Sequence, residues 1–293
     1  MTQKIGMIGI GLMGHGIAFN IAQAGYSLTV LEHAGNQPLD ELLSLGVKPV
    51  KTIADVAQAS DLIVLCVTGA PQVEEIVTGA EGVAKHISTG TLVIDCSTSL
   101  PETSKRVAEK ITAAGGHFLD AAMTRLPVHA RAGTLNLLVG GEAEHLQEAR
   151  AVLETFSENI THIGGVGSGH LMKLLHNTIS VGMVSLLAEV AAHAAKAGIP
   201  APLFVDVLAQ GGGGGAALQR IAPYLLTGDA QNMAFTISNA AKDLDYYNKA
   251  ATAAGVSHSI AASIADTLRK VSEAGEGHHY LPELATLLGH ESN

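Results

Sequence analysis

The chain has 293 residues, of which 47% are apolar and only 15% are charged. This composition is that of a folded globular protein, and the length allows one large domain or two ordinary ones. The formal net charge of −10 and the lack of a basic cluster argue against a nucleic-acid partner, although a few local cations can still bind a small anion.

The first half of the chain alternates between apolar, strand-like runs and helical segments. Strands are predicted at 4–10, 27–33, 48–52, 61–67, 91–98, 117–123 and 134–141, and helices at 14–26, 38–46, 53–60, 70–79, 81–87, 101–116 and 142–157. Strands without polar alternation that are separated by helices indicate a parallel sheet covered on both faces.

Beyond about residue 165 the strand signal fades and helix follows helix, beginning with a long one over 170–198. The five glycines at 211–215 are expected to form a turn. We therefore predict an α/β, doubly wound N-terminal domain over 1–164, followed by an all-α C-terminal domain over 165–293.

The segment GIGLMG places Gly9, Gly11 and Gly14 directly after the first strand and at the start of a helix. Gly9 permits a tight turn, Gly11 lets the backbone approach a pyrophosphate, and Gly14 lets the helix pack closely on the strand. The free N–H groups of the helix N-terminus then face the phosphates. The pattern in this context predicts a dinucleotide site and makes the N-terminal domain one of the Rossmann type.

Glu32 directly follows the second strand. A carboxylate there can accept hydrogen bonds from both hydroxyls of an adenosine ribose and would repel a 2′-phosphate. His33 stands beside it, where an NADP-preferring enzyme more often carries arginine. We therefore predict NAD as the cofactor, with NADP less favoured.

Polar residues share one face of the long apolar helix. Lys173 and Asn177 are four residues apart, and Ser180 follows a turn later. They must face either solvent or a polar cavity, and the residues alone leave both interpretations open. Lys242 and Asp243, in a later helix, are in themselves no more than a solvated charge pair.

Taken together, these segments resemble the β-hydroxyacid dehydrogenase family, which includes the 3-hydroxyisobutyrate dehydrogenases. The resemblance covers almost the whole length and rests on GIGLMG, DCSTSLPE, DAAMTR…AGTLNLLVGG, GVGSGHLMKLLHN and KDL, in the family's order. It implies an NAD(P)-dependent enzyme that interconverts a small anionic β-hydroxy acid or primary alcohol and its semialdehyde or ketone.

The resemblance also implies roles for single residues. Lys173 matches the catalytic lysine, which exchanges a proton with the substrate oxygen, and Asn177 matches the asparagine that orients the substrate. Burial and nearby positive charge can tune such a lysine toward neutrality. The other implied positions are Ser97, Thr124, Arg125 and Ser180 at the substrate, and Leu12, Met13, Val67, Thr98 and Lys242 at the cofactor.

The segment DAAMTRL at 120–126 departs from the family's usual DAPVSGG, in which serine and glycine N–H groups hold the substrate carboxylate. Thr124 replaces the serine and Arg125 replaces the first glycine. Close backbone approach is lost, whereas a guanidinium supplies charge and a fork of donors. The sulfolactaldehyde reductase branch is similar here, which implies that Arg125 clamps a sulfonate or a carboxylate. A surface arginine on a mobile loop is the alternative.

Two other functions stay open, namely an enzyme like 6-phosphogluconate dehydrogenase, which is considerably longer, and a catalytically silent NAD-binding sensor or scaffold. No His, Cys and Asp cluster has metal-ligand spacing, so we expect no metal. Members of the family pair their helical domains, and the resemblance therefore implies a homodimer or homotetramer.

The location of the protein is expected to be cytoplasmic. Cys66 and Cys96 are the two cysteines, which predicts a reducing compartment without disulfides. The first residues lack the pattern of a signal peptide. The apolar stretch at 171–195 is interrupted by Lys173, Glu189 and other polar residues, so we expect a buried helix and no membrane span.

Overall fold

A computed structural model describes residues 3–289 of the chain. The chain divides into two compact units, Met1–Lys173 and Leu174–Asn293. The strands of the first unit are β1 (Lys4–Ile8), β2 (Ser27–Leu31), β3 (Lys48–Val50), β4 (Leu62–Leu65), β5 (Leu92–Asp95), β6 (His117–Thr124), β7 (Leu135–Gly140) and β8 (Ser157–Gly164). Its helices are α1 (Leu12–Gln23), α2 (Asp40–Ser44), α3 (Ile53–Gln58), α4 (Ala70–Thr78), α5 (Val83–His86), α6 (Pro101–Ala113), α7 (Pro127–Ala132) and α8 (Ala143–Leu153).

The strands form one sheet in the order β3-β2-β1-β4-β5-β6-β7-β8. Its first six strands have the order of a dinucleotide-binding sheet, in which the strand order, but not the strand direction, reverses between β1 and β4. Residues on the two sides of the sheet belong to separate cores: Met7 and Val64 lie in one, Ile8 and Leu65 in the other. Because side chains alternate along a strand, both faces of the sheet are covered. The predicted doubly wound class is confirmed.

One pair of strands departs from the expected parallel arrangement, because β7 runs antiparallel to β6. The connection between them, residues 125–134, is short and contains only the helix α7. A parallel return needs a crossover of a dozen or more residues, so the chain turns back instead. The expected loop around Arg125 is therefore followed by a short helix.

An eighth strand, β8, was missed by the sequence prediction. It pairs in parallel with β7 at the edge of the sheet, and most of its residues are exposed or half-buried. An edge strand of this kind needs no apolar run, so the sequence SENITHIG gives no strand signal.

The second unit is helical. Its long first helix, α9 (Ser168–Lys196), begins in the first unit and is followed by α10 (Ala201–Ala209), α11 (Ala216–Thr227), α12 (Ile237–Ala253), α13 (Ser259–Glu273) and α14 (Leu284–Gly289). The core of this unit contains Val184, Leu218, Leu244 and Leu268, from four of these helices. The glycines 211–215 connect α10 to α11, and Gly215 has a φ of 124°.

Helix α9 is long and apolar enough to cross a membrane by length and composition alone, with a mean hydropathy of 1.5 over its most apolar window. That window is 39% buried, and Val181, Val184 and Ala188 pack in the core of the helical unit. A core helix passes the same test, so the hydropathy is weak grounds for a membrane span.

The first compact unit runs to Lys173, past the domain boundary that the sequence predicts after residue 164. The physical reason is a carboxylate in the sheet. Asp120, on β6, accepts hydrogen bonds from the backbone N–H groups of Gly167 (2.7 Å) and His170 (2.8 Å), which ties the first turn of α9 to the first unit.

Candidate active site

The glycine-rich turn after β1 has the geometry that a pyrophosphate requires. Gly9 has a φ of 100°, and a Cβ there would lie 2.2 Å from the carbonyl oxygen of Cys66. A Cβ on Gly14 would lie 1.9 Å from the carbonyl oxygen of Gly9. At Gly11 a Cβ would meet nothing within 4 Å, and α1 begins there without a side-chain cap. The open turn and uncapped helix N-terminus fit a bound dinucleotide.

Glu32 lies just beyond β2, as the cofactor prediction requires, and its carboxylate forms an ion pair with a lysine. Its Oε1 is 2.6 Å from the Nζ of Lys51, and both side chains are largely exposed. An exposed ion pair of this kind contributes little stability, so the carboxylate can exchange its partner for ribose hydroxyls. The sequence interpretation missed Lys51, a cation beside the residue that would select between NAD and NADP.

The carboxyl ends of the neighbouring strands β4 and β5 bring Val67 and Ser97 together. The backbone N–H of Val67 donates to the Ser97 Oγ at 3.0 Å, and the N–H of Ser97 donates to the Asp95 Oδ1 at 2.9 Å. Ser97 is buried and Thr98 is half-buried. Ligands of doubly wound sheets bind at these strand ends, beside the point where the strand order reverses.

A buried polar cluster under this edge was missed by the sequence prediction. His170 is fully buried, its Nδ1 is 2.6 Å from the Ser104 Oγ, and its Nε2 is 3.1 Å from the carbonyl oxygen of Ser97. The Asp95 carboxylate lies 3.9 Å away, and burial raises the pKa of that carboxyl while His170 partly offsets the effect. The cluster fixes Ser97 against the start of α9. The available signal in the sequence was a carboxylate in each of two apolar strands, Asp95 at the end of β5 and Asp120 within β6.

Lys173, Asn177 and Ser180 lie on one face of α9, as their spacing predicts. Lys173 is half-buried and Asn177 is buried. The Asn177 Nδ2 donates to the Asp243 Oδ2 at 2.6 Å, and the Asn177 Oδ1 lies 3.0 Å from the His176 Nδ1. The amide is therefore held from both ends.

Two residues of α12 support this face. Asp243 is 2% exposed, and its Oδ1 has no hydrogen-bond partner within the described part of the chain. The Lys242 Nζ lies 3.4 Å from that oxygen and 5.8 Å from the ring of Tyr246. Asp243 was noted in the sequence only as the neighbour of Lys242, so its contact with Asn177 was missed.

Arg125 follows β6 with a φ of 82°, a left-handed conformation that only this non-glycine residue adopts within residues 3–289. Such a conformation costs a non-glycine residue energy and is concentrated at functional sites. Its Nη1 donates to the Glu158 Oε2 at 2.5 Å and to the carbonyl oxygen of Thr134. Thr124 beside it is buried and accepts a hydrogen bond from the Asn136 Nδ2 at 3.1 Å. The arginine is thus ion-paired to the unpredicted strand β8.

Within residues 3–289, the group with metal-ligand geometry is Glu276, His278 and His279, whose ligand atoms lie within 4.8 Å of one another. His279 already pairs with Glu276 at 3.1 Å and with Glu283 at 2.8 Å. These contacts satisfy the cluster without an ion, so we assign no metal to it.

The doubly wound sheet, the open glycine turn and the polar face of α9 define a nicotinamide-dependent oxidoreductase. Comparison with known families agrees with this class. Residues 4–164 match the NAD-binding domain of 6-phosphogluconate dehydrogenase, and residues 167–287 match the NAD-binding domain of NADP-dependent 3-hydroxyisobutyrate dehydrogenase. The chain belongs to the β-hydroxyacid dehydrogenase family, in its 3-hydroxyisobutyrate dehydrogenase-like group.

Individual relatives are similar over much of the length. The 2-hydroxy-3-oxopropionate reductase of Escherichia coli K12 is 37% identical over 195 residues, which are 67% of this chain and 66% of that protein. The 3-sulfolactaldehyde reductase of the same organism is 29% identical over 93% of this chain and 91% of that protein. A structure of 3-hydroxyisobutyrate dehydrogenase from Mycobacterium tuberculosis with L-serine has a TM-score of 0.88 at 24% identity, covering 98% of this chain and 99% of that one.

Proposed function

We propose that this protein is an NAD-dependent dehydrogenase that interconverts a small anionic β-hydroxy acid or primary alcohol and its semialdehyde or ketone. The observation that carries the proposal is the face of α9, where Lys173 and Asn177 are one turn apart and the amide of Asn177 is fixed by Asp243. An NAD-binding sensor has no need of such an arrangement.

Lys173 acts as the general acid and base. Its amine takes the proton of the substrate hydroxyl during oxidation and returns it during reduction, which requires that the amine be neutral before it accepts the proton. NAD, when bound, would supply the acceptor for the hydride that leaves the carbinol carbon. Ser97, whose carbonyl oxygen and hydroxyl are both held by hydrogen bonds, is a rigid part of the substrate site.

Asn177 orients the reacting oxygen. An amide nitrogen has two N–H donors, and one of those of Asn177 is used by Asp243. The second donates to the substrate oxygen and keeps it within reach of Lys173.

Arg125 clamps the anionic group of the substrate. The described hydrogen bonds of its guanidinium both come from Nη1, so Nη2 and Nε supply the two-pronged contact that a carboxylate or sulfonate prefers. Thr124 adds a hydroxyl beside it. The pairing with Glu158 holds the arginine in place, and the Arg125→Gly variant is expected to raise KM much more than it lowers turnover. An unchanged KM contradicts this role.

NAD is favoured over NADP because Glu32 repels a 2′-phosphate. Lys51 at 2.6 Å weakens that repulsion, so Glu32→Gln is expected to improve the use of NADP while Lys51→Gln is expected to reduce it. Comparing kcat/KM for both cofactors in the two variants measures the contribution of each charge.

A second copy of this chain is the partner that we propose for α9. Four large apolar residues on this helix are exposed with a spacing of four, three and four: Ile179, Met183, Leu186 and Val190. Two such stripes bury one another in a symmetric contact, which supports a homodimer; a homotetramer would need a second contact of this kind. Met183→Lys is expected to lower the mass measured by analytical ultracentrifugation, and an unchanged mass contradicts the contact. The cytoplasmic location that we propose is supported separately by the two free cysteines, Cys66 and Cys96.

The central experiment is the variant Lys173→Ala, with Lys196→Ala as the control, an exposed lysine at the other end of the same helix. NADH formation is followed with small hydroxy sulfonates, carboxylates and phosphates. We expect Lys173→Ala to lower turnover roughly 100- to 10,000-fold with little change in NADH affinity, and the control to behave as wild type. Near-normal turnover of Lys173→Ala removes the lysine from the mechanism. A wild type that binds NADH but oxidises none of the compounds favours a sensor.

A further inference from the structure

Arg220 differs from the other arginines of this protein in its partner. Five of the six form ion pairs with carboxylates: Arg106, Arg125, Arg131, Arg150 and Arg269. Arg220, within residues 3–289, has no such pair, and its Nη1 instead donates to the hydroxyl oxygen of Ser180 at 2.6 Å. The helical unit therefore presents a guanidinium whose charge is not neutralised by a carboxylate.

The position of this guanidinium is as informative as its charge. Arg220 comes from α11, and Ser180 lies on α9, three residues after Asn177 and seven after Lys173. Steps of three, four and seven residues return to the same helical face. The guanidinium thus meets α9 on the face that carries Lys173 and Asn177, and it does so within the helical unit itself.

The chemistry of the pair suits an anion. A guanidinium has five N–H donors, and one contact to a neutral hydroxyl leaves most of them available. The hydroxyl of Ser180 can itself donate to an anion while its oxygen accepts from Arg220. Arg220 is exposed and has no ion pair with a carboxylate among residues 3–289, so an incoming anion displaces water from the guanidinium.

We propose that Arg220 and Ser180 form a subsite for a second anionic group of the substrate. The inference rests on the proposed function, because it assumes that the reacting oxygen lies at Lys173 and Asn177. With a helical rise of about 1.5 Å per residue, Ser180 lies about 4.5 Å along α9 from Asn177 and about 10 Å from Lys173. An oxygen held between those two residues is then roughly 7 Å along the helix from the subsite. Carbon–carbon bonds of about 1.5 Å advance about 1.3 Å each in an extended zigzag chain, so roughly five to six bonds span that distance.

The substrate class that follows is a dianionic hydroxy acid. One anionic group belongs to the hydroxy acid itself, and the other, several bonds from the reacting carbon, is held by Arg220 and Ser180 within the helical unit. Short hydroxy monocarboxylates have the first group only.

The test compares two series of compounds, hydroxy monocarboxylates and hydroxy dicarboxylates of matching chain length, as substrates for NAD-linked oxidation. The variants are Arg220→Gln, which removes the charge, Arg220→Lys, which keeps the charge without the fork, and Ser180→Ala. The control is Arg269→Gln, an arginine of the same unit that pairs with Asp266 and Glu273. Succinate binding to the NADH-bound protein, measured by calorimetry, provides a readout that needs no turnover.

We expect Arg220→Gln to raise KM for the dicarboxylates roughly 10- to 100-fold, the loss of one charge-assisted contact, with kcat changed less than about twofold. Arg220→Lys and Ser180→Ala should raise KM for the dicarboxylates by smaller factors. KM for the monocarboxylates should be unchanged in the two Arg220 variants, and the control variant should behave as wild type with both series. Succinate should bind the wild type and the control more tightly than Arg220→Gln.

The subsite is overturned if Arg220→Gln raises KM equally for monocarboxylates and dicarboxylates, or if it changes KM for neither series. A failure of the proposed function gives a different result. In that case wild type oxidises neither series, and succinate binding that depends on Arg220 still supports the anion subsite, whereas binding that ignores Arg220 overturns it.

Discussion

The hydrogen bond between Asn177 and Asp243 should couple the stability of the helical unit to turnover. The two residues are 7% and 2% exposed, and the Asn177 Nδ2 donates to the Asp243 Oδ2 at 2.6 Å. Because the acceptor is a buried carboxylate, we expect the contact to be stronger than one between neutral groups at the surface.

The magnitude follows from what each substitution leaves behind. Asp243→Ala removes a charge-assisted hydrogen bond worth about 1.5–3 kcal/mol, whereas Asn177→Ala leaves a buried carboxylate without its donor and should cost about 3–5 kcal/mol. The double variant contains neither group, so its cost should be smaller than the sum by about 1.5–3 kcal/mol. Asp243→Asn keeps an oxygen acceptor and should retain more turnover than Asp243→Ala, in which the Asn177 amide is free to rotate.

The assay is a double-mutant cycle from urea unfolding followed by circular dichroism, with kcat measured on the same samples. The control cycle uses Tyr224→Phe and Thr286→Val, whose hydroxyl groups form an exposed neutral hydrogen bond at 2.5 Å in the same unit; its coupling should be about 0.5–1 kcal/mol. A coupling between Asn177 and Asp243 no larger than that of the control refutes the reasoning. So does a kcat that is the same in Asp243→Ala and Asp243→Asn.

Three further outcomes follow from other contacts. A Cβ on Gly14 would lie 1.9 Å from the Gly9 carbonyl oxygen, so Gly14→Ala should force α1 away from β1 and weaken NADH binding by roughly tenfold or more; unchanged affinity in a fluorescence titration contradicts this. Burial raises the pKa of the Asp95 carboxyl, so the protonated carboxyl stabilises the folded state at low pH, and this stabilisation is lost as pH rises through the raised pKa. Asp95→Asn cannot ionise and should therefore be more stable than wild type at neutral pH. A variant that urea unfolds more easily than wild type at neutral pH contradicts this. Burial, and next the Asp95 carboxylate, raises the pKa of the Cys66 thiol to about 12, and burial raises the pKa of the Cys96 thiol well above its usual value. Iodoacetamide should therefore label both thiols at neutral pH only after unfolding, and rapid labelling of the folded protein is the contrary result.

The fold was largely predictable because the N-terminal sheet is buried on both faces. Burial of that kind produces continuous apolar strands, and the glycines of the first turn are required by backbone geometry, as the φ of 100° at Gly9 illustrates. The features that were missed carry no such signal. β8 is a polar edge strand, and the reversal of β7 depends on how far the short connection 125–134 can reach.

The candidate site divides in the same way, between residues placed by local spacing and residues placed by tertiary contact. Lys173, Asn177 and Ser180 share a face because helical periodicity requires it, so the sequence alone could group them. Nothing in the sequence joins Asp243 to Asn177, Arg220 to Ser180 or Glu158 to Arg125, since each pair brings together distant segments.

Arg125 shows most clearly why residues that are placed by tertiary contacts cannot be predicted from the sequence. The family usually has glycine at this place, and the backbone of Arg125 keeps a conformation suited to glycine, with a φ of 82°. A strained backbone persists only where its surroundings hold it, and here the contacts to Glu158 and the Thr134 carbonyl oxygen supply that hold. The presence of arginine in place of glycine at position 125 therefore depends on Glu158, more than thirty residues away in the chain. Glu158→Gln should weaken that hold and raise the KM for an anionic substrate, although Glu158 itself touches no substrate in the proposed arrangement.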